Sequence, residues 1–178
     1  MRRLLMFVNV LAPFLILPAL ALESRPAGSS GTKAADGDSI DTLIAALYDT
    51  ISGPAGVRDW DRFRELFIDG GILTSTRIRP DGTQVLRQMS VEDYIEGSGE
   101  YFEKNDFFES EISRKVDVFG SIAHAFSTYE TRREPDATPV ARGINSFQAM
   151  HDDKGWRIVS IFWTGESDRN PIPEQYLP

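Results

Sequence analysis

The sequence predicts an α+β fold, with helices packed on one face of a curved, mostly antiparallel sheet. Two periodicities predict it. From Val116 to Trp163 apolar and polar residues alternate, through VDVFGSIAHAFSTYETR and then ARGINSFQAMHDDKGWRIVSIFWTGE, with a turn at residues 152–155. Upstream, apolar residues recur three and four apart behind helix-capping side chains. Helical segments therefore come first and a run of strands comes last, without an internal repeat.

Residues 1–22 are a separate object. Arg2 and Arg3 precede an apolar run from Leu4 to Leu17, interrupted by Asn9 and Pro13, and Ala19-Leu20-Ala21 follows Pro18 as a small-x-small cleavage site. This is the layout of a secretory signal peptide and predicts export, to a periplasm or the extracellular space. The alternative is an uncleaved anchor helix, against which the prolines and the short apolar run argue. The paired arginines lack a twin-arginine context, and the chain has no cysteine to carry a lipid. Residues 23–37, ESRPAGSSGTKAADG, are small and polar and predict a disordered linker. Residues 38–166 fit one domain, large enough to bury a core without disulfides.

Within that domain, Asp38-Ser39 precedes Ile40, Leu43, Ile44 and Leu47, a helix that Gly53-Pro54 ends. A second helix is predicted from Asp59 to Phe67, with Trp60, Phe63, Leu66 and Phe67 on one face. An Asp69-Gly70-Gly71 turn leads to a strand over residues 72–79, and Pro80-Asp81-Gly82 turns into a second, TQVLRQM. Ser90 caps a third helix carrying Tyr94, Ile95, Tyr101 and Phe102. Strands follow over residues 107–119, 121–132, 140–151 and 156–164, with Gly120 as a candidate bulge. Residues 167–178, SDRNPIPEQYLP, predict an extended tail.

With Arg2 and Arg3 removed from the 19 basic residues, 17 remain against 27 acidic ones. That surplus disfavours nucleic acid and anionic membrane surfaces as partners. Two distant histidines, no cysteine and no HExxH motif leave a zinc site without support. There is no Gly-rich phosphate loop and no GxSxG elbow, and the acids near Asp152 are too sparse for a calcium loop. No cofactor and no metal are expected.

The element order, together with DWDRFRELFIDGG (residues 59–71) and RGINSFQAMHDDKGWRIVSIFW (residues 142–163), resembles the nuclear transport factor 2-like superfamily, which includes SnoaL-like and ketosteroid isomerase-like domains. The resemblance covers residues 40–165 and implies a cone: three N-terminal helices close one end, and a strongly curved sheet lines a deep apolar pocket. It does not imply one activity, since members include isomerases, dehydratases, cyclases and noncatalytic binders. The isomerase pattern is not matched. Residues 72–76, ILTST, hold no carboxylate where the base belongs; Leu43-Ile44-Ala45 occupies the first-helix tyrosine region; Asn145 stands where the acid stands.

Parity along the strands then names the expected pocket face. Val116, Val118, Ile122 and Phe126 share a row with His124, Thr128 and Glu130; Asn145 and Phe147 share one on the next strand; Val159, Ile161 and Trp163 share one on the last. Phe126, Thr128, Asn145, Phe147, Ile161 and Trp163 are therefore the candidate ligand contacts, and Phe147 and Trp163 read either as a stacking floor or as core aromatics. His124 is the candidate acid/base, as in dehydratase-like relatives, or else a hydrogen-bonded core residue. Glu130 reads as a pocket-mouth group or as a partner of Arg132 or Arg142, and His151 as exposed. Outward Trp156, Ile158 and Phe162 predict a homodimer. Three functions stay open: an exported small-molecule-binding domain for an apolar or aromatic ligand, a lyase- or isomerase-type enzyme using His124, and a noncatalytic interaction module.

Overall fold

The computed structural model describes residues 35–79 and 81–178; the expected signal peptide and most of the expected linker lie outside them. The end of that linker is tied to the domain, because Asp36 pairs with Arg62 at 2.6 Å and the Gly37 carbonyl accepts from the Trp156 amide at 2.8 Å.

Helix α1 (Ile40–Ile51) starts in a capping box, with Ser39 Oγ accepting from the Thr42 amide and Thr42 Oγ1 from the Ser39 amide. Helix α3 (Val91–Lys104) starts the same way at Ser90 and Asp93. Between them lie α2 (Trp60–Glu65), capped by Asp59, and strands β1 (Phe67–Ile78) and β2 (Gln84–Ser90). Strands β3 (Phe108–Phe119), β4 (Ile122–Arg132), β5 (Ala141–Asp152) and β6 (Gly155–Gly165) follow, and a 3₁₀ turn (Glu174–Tyr176) ends the chain. The sheet order is β2-β1-β6-β5-β4-β3, antiparallel except where β1 and β6 run parallel.

Helix α2 stops earlier than the sequence predicts. Phe67 pairs with Ile158, and the Leu66 carbonyl accepts from the Ile158 amide at 2.8 Å, so the sheet takes over backbone groups that a longer helix would use. The expected Asp69-Gly70-Gly71 turn is an irregularity inside β1, between Phe67 and Ile72, where Gly70 has a φ of +78°. Gly120 is the hairpin corner between β3 and β4, with a φ of +56°, rather than a bulge.

Apolar faces of α1 and α2 lie on the inner face of the sheet. Phe63, Phe147, Leu43, Ile44 and Ile158 are almost wholly removed from water there. Ile158 corrects the expected outward strip. Its partner changes register at a bulge, so that Ser160 opposes Gln148 but Ile158 opposes Ala149, and Ile158 turns inward to 0% exposure. Trp156 is half-buried against the His151 ring, and Phe162 alone of the three stays exposed, at 46%.

Candidate functional site

The pairing decides which side chains meet. Ser127, Ala125 and Ala123 of β4 oppose Asn145, Phe147 and Ala149 of β5, and Asn145 and Phe147 oppose Trp163 and Ile161 of β6. These residues share the inner face. His124, Phe126 and Thr128 oppose Gln148, Ser146 and Ile144, and therefore share the outer one. Four of the expected contacts, Asn145, Phe147, Ile161 and Trp163, lie on one face, where Asn145, Ile161 and Trp163 line a cavity and Phe147 packs in the core. His124, Phe126 and Thr128 do not join them.

The reason is local. A two-residue turn at Gly120-Ser121 makes even positions of β3 oppose odd positions of β4: Val118 faces Ala123, and Val116 faces Ala125. Carrying one row of even numbers across the turn, as the sequence reading does, therefore switches faces. On the outer side His124 Nε2 lies 3.2 Å from Ser146 Oγ, Phe126 packs on the Tyr176 ring, and Thr128 Oγ1 donates to the Tyr176 carbonyl at 2.7 Å. Glu130 pairs with Arg132 on its own strand, while Arg142 takes Glu166 at 2.8 Å.

A second irregularity supplies the acids. Between Glu111 and Ser113 the register of β3 shifts at Ile112, and upstream of it odd residues oppose odd ones. Glu109 then faces Thr131, and Glu111 faces Tyr129, both on the inner side. No carboxylate was expected here from the sequence. The available signal was a pair of glutamates two apart on a strand, which must share a face.

Between α1, α2, α3 and this inner face lies a cavity of about 460 Å³. Its wall includes Leu47, Ile51, Phe63 and Tyr94 from the helices and Leu73, Glu109, Tyr129, Thr131, Asn145, Ile161 and Trp163 from the sheet. Arg133 and Tyr101 also line it, their side chains hydrogen-bonded to each other. Two larger grooves, about 620 and 750 Å³, mix charged and apolar lining residues, and the first adjoins the cavity at Val140 and Ala141. The smaller cavity combines aromatic and aliphatic walls with a set of convergent polar groups, which is a composition suited to a small-molecule site.

Glu109 is the carboxyl of this wall. Thr131 Oγ1 donates to its Oε2 at 2.9 Å. Burial penalises its charge more than that bond offsets, and its pKa is pushed up to about 7. Tyr94 and Tyr129 are held protonated by burial and by the neighbouring Glu109 charge, so both hydroxyls are donors.

Beside the cavity runs a chain of polar groups. Asn145 Nδ2 donates to the Tyr48 hydroxyl at 3.0 Å, which lies 2.7 Å from Ser127 Oγ, which donates to Glu111 Oε1 at 2.6 Å. Arg114 Nε is 3.5 Å from that same Oε1. Tyr48 sits one turn beyond Ile44 on α1, past the Leu43-Ile44-Ala45 stretch, and reaches Asn145 directly. Among the described residues no group of three or more acidic, histidine or cysteine side chains could hold a metal ion.

No protein-family model matches the sequence, and a search of curated proteins finds no relative. Solved structures do match. A cystatin-like-fold protein of unknown function from Nostoc punctiforme superposes with a TM-score of 0.56 at 11% identity, covering 72% of this chain and 90% of that one. An NTF2-like protein of unknown function from Methylobacillus flagellatus gives 0.50 at 12%, covering 78% and 98%. A protein from Streptomyces avermitilis, described as a candidate dehydratase of the NTF2-like family, gives 0.53 at 11%, covering 74% and 96%. At such identities the likeness establishes the fold: this chain has the nuclear transport factor 2-like architecture.

Proposed function

Taking the nuclear transport factor 2-like fold as premise, we propose that this chain is an exported small-molecule-binding domain whose ligand occupies the cavity between the helices and the inner sheet face. One observation carries the proposal. A roughly 460 Å³ space is walled by aromatic and aliphatic side chains, with Glu109, Tyr129 and Asn145 among its polar points. Such a site suits a modest apolar or aromatic molecule with one polar end. Export rests on residues 1–22, and N-terminal sequencing of the secreted protein tests it.

The binding test is thermal unfolding of the protein across a library of lipophilic and aromatic compounds, beside native mass spectrometry of copurifying molecules. A ligand at a hundred times its Kd raises stability by about 2.7 kcal/mol, an easily read shift. The same compound should lose its effect when Ile161→Trp fills the cavity. No shift with any compound and no copurifying molecule would leave the domain as an interaction module.

A second reading is favoured by Glu109. A carboxyl titrating near neutrality in an apolar cavity can give or take a proton, so a lyase- or isomerase-type enzyme would use Glu109 in place of His124, which faces the other side of the sheet. Glu109→Gln should then keep ligand binding while abolishing turnover. Pairing of two copies through the outer face is the proposed assembly, supported by exposed Phe162, Leu86 and Ile122; sedimentation of Phe162→Glu against the wild type tests it.

A further inference from the structure

The polar chain that ends at Asn145 has a direction. The Glu111 carboxylate can only accept, so Ser127 gives its single proton to Glu111 Oε1 at 2.6 Å. The Tyr48 hydroxyl must then give its proton to Ser127 Oγ, 2.7 Å away, since two oxygens at that distance without a proton between them repel. The Tyr48 oxygen is left as an acceptor for the Asn145 amide, and only the Nδ2 end can supply a proton. Burial pushes the Glu111 carboxyl upward, and the Ser127 bond and Arg114 oppose that push in favour of the charged form that sets this direction. Arg114 of the same strand faces Glu111 at 3.5 Å, and its own Nη2 bonds Asp41 of α1 at 2.8 Å.

The amide orientation has a consequence in the cavity. Asn145 is 6% exposed and lines the cavity wall, and its Oδ1 makes no hydrogen bond among the described residues. Among the described residues the enclosed side-chain nitrogen or oxygen without a partner is Arg157 Nε, outside this cavity, so the unbonded Asn145 Oδ1 is not sealed off and is open to the cavity that Asn145 lines. We infer that the Glu111–Ser127–Tyr48 chain locks Asn145 with its carbonyl oxygen toward the ligand, and that the site selects an apolar molecule bearing a hydrogen-bond donor, a hydroxyl, over the matching ketone. This rests on the binding reading above and adds the ligand class to it. Glu109, Tyr94 and Tyr129 do not make the choice, because a carboxyl near its pKa and a phenol hydroxyl each both donate and accept. Ser127 is wholly buried and absent from the cavity wall, so it is a positioning residue.

Calorimetric titration with 2-tetralol and 2-tetralone, which differ by donor against acceptor at one carbon, tests this. The wild type should bind the alcohol about tenfold more tightly, the order of one hydrogen bond made against one lost. Ser127→Ala frees the Tyr48 proton for Asn145 Oδ1, turns the amide over, and should move the preference to the ketone. A merely structural role for Ser127 would weaken both probes alike and leave their ratio unchanged, which overturns the inference. Equal binding by the wild type, or a ketone preference, also overturns it while the binding reading stands. Binding of neither probe, with no shift across the wider library, removes the binding reading and this inference together. Should Ser127→Ala fail to fold, Tyr48→Phe takes its place and should bring the two affinities within about twofold; the wild-type ratio decides in either case.

Discussion

On the inner face of β4, Ala123, Ala125, Ser127, Tyr129 and Thr131 are all buried, whereas on its outer face His124, Phe126 and Glu130 are half-buried and Ile122 is 60% exposed. Both rows mix aromatic, hydroxyl and aliphatic groups. Their surroundings differ. Inward polar groups have lost water and survive through directed bonds, Thr131 to Glu109 and Ser127 to Glu111, while the outward row is covered only by the tail at Phe126 and Thr128. Desolvation therefore gives one face altered chemistry and leaves the other ordinary.

The largest effect that would break this contrast is expected at Gly143, opposite Tyr129. A Cβ there would stand 2.4 Å from the Tyr129 hydroxyl and 2.5 Å from the Thr164 carbonyl. Gly143→Ala should cost about 3 kcal/mol in urea unfolding, near the upper end for overpacking, because the backbone carbonyl cannot yield. An unchanged midpoint would show that the inner face has slack.

Next in size is the pH response of Glu109. Its folded pKa, about 7, lies above the ordinary carboxylate value, so the folded state holds the proton more tightly than the unfolded chain does. Its stabilising contribution is complete below the ordinary value and is lost as pH rises through about 7. Relative to Glu109→Gln, the wild type should lose on the order of 2 to 3 kcal/mol between about pH 4 and pH 8. Parallel stability curves for the two proteins would mean that the cavity is wet enough to leave Glu109 unperturbed.

The smallest effect concerns the outer cover. Tyr176 packs on Phe126 and takes Lys115 over its ring at 5.2 Å. Tyr176→Ala should cost about 1 kcal/mol and leave the pH response of Glu109 unchanged. A shift in that response would show that the two faces are coupled through the sheet.

Much of this was legible in order along the chain. Ser39 and Ser90 cap the helices they were expected to cap, Asp59 caps the helix expected to begin with it, and four long strands close the domain where alternation placed them. Asn145 and Phe147 are two apart on β5, and Ile161 and Trp163 two apart on β6, so each pair shares a face whatever the turn and bulge between the pairs do. His124 fell on the wrong side because a two-residue corner separates it from Val118, and Glu109 was missed because a single extra residue at Ile112 turns it inward.

The sequence by itself determined the α+β class, the helix starts, the strand set and the lack of metal-binding motifs, since caps and periodicities are relations between near neighbours. Tertiary structure decided which row of each strand meets the cavity, the joining of Tyr48 to Asn145 across 97 positions, and the near-neutral titration of Glu109. The physical reason is that side-chain direction in a strand has period two: one bulge or one turn residue inverts it, and only the pairing of distant strands records which inversion took place.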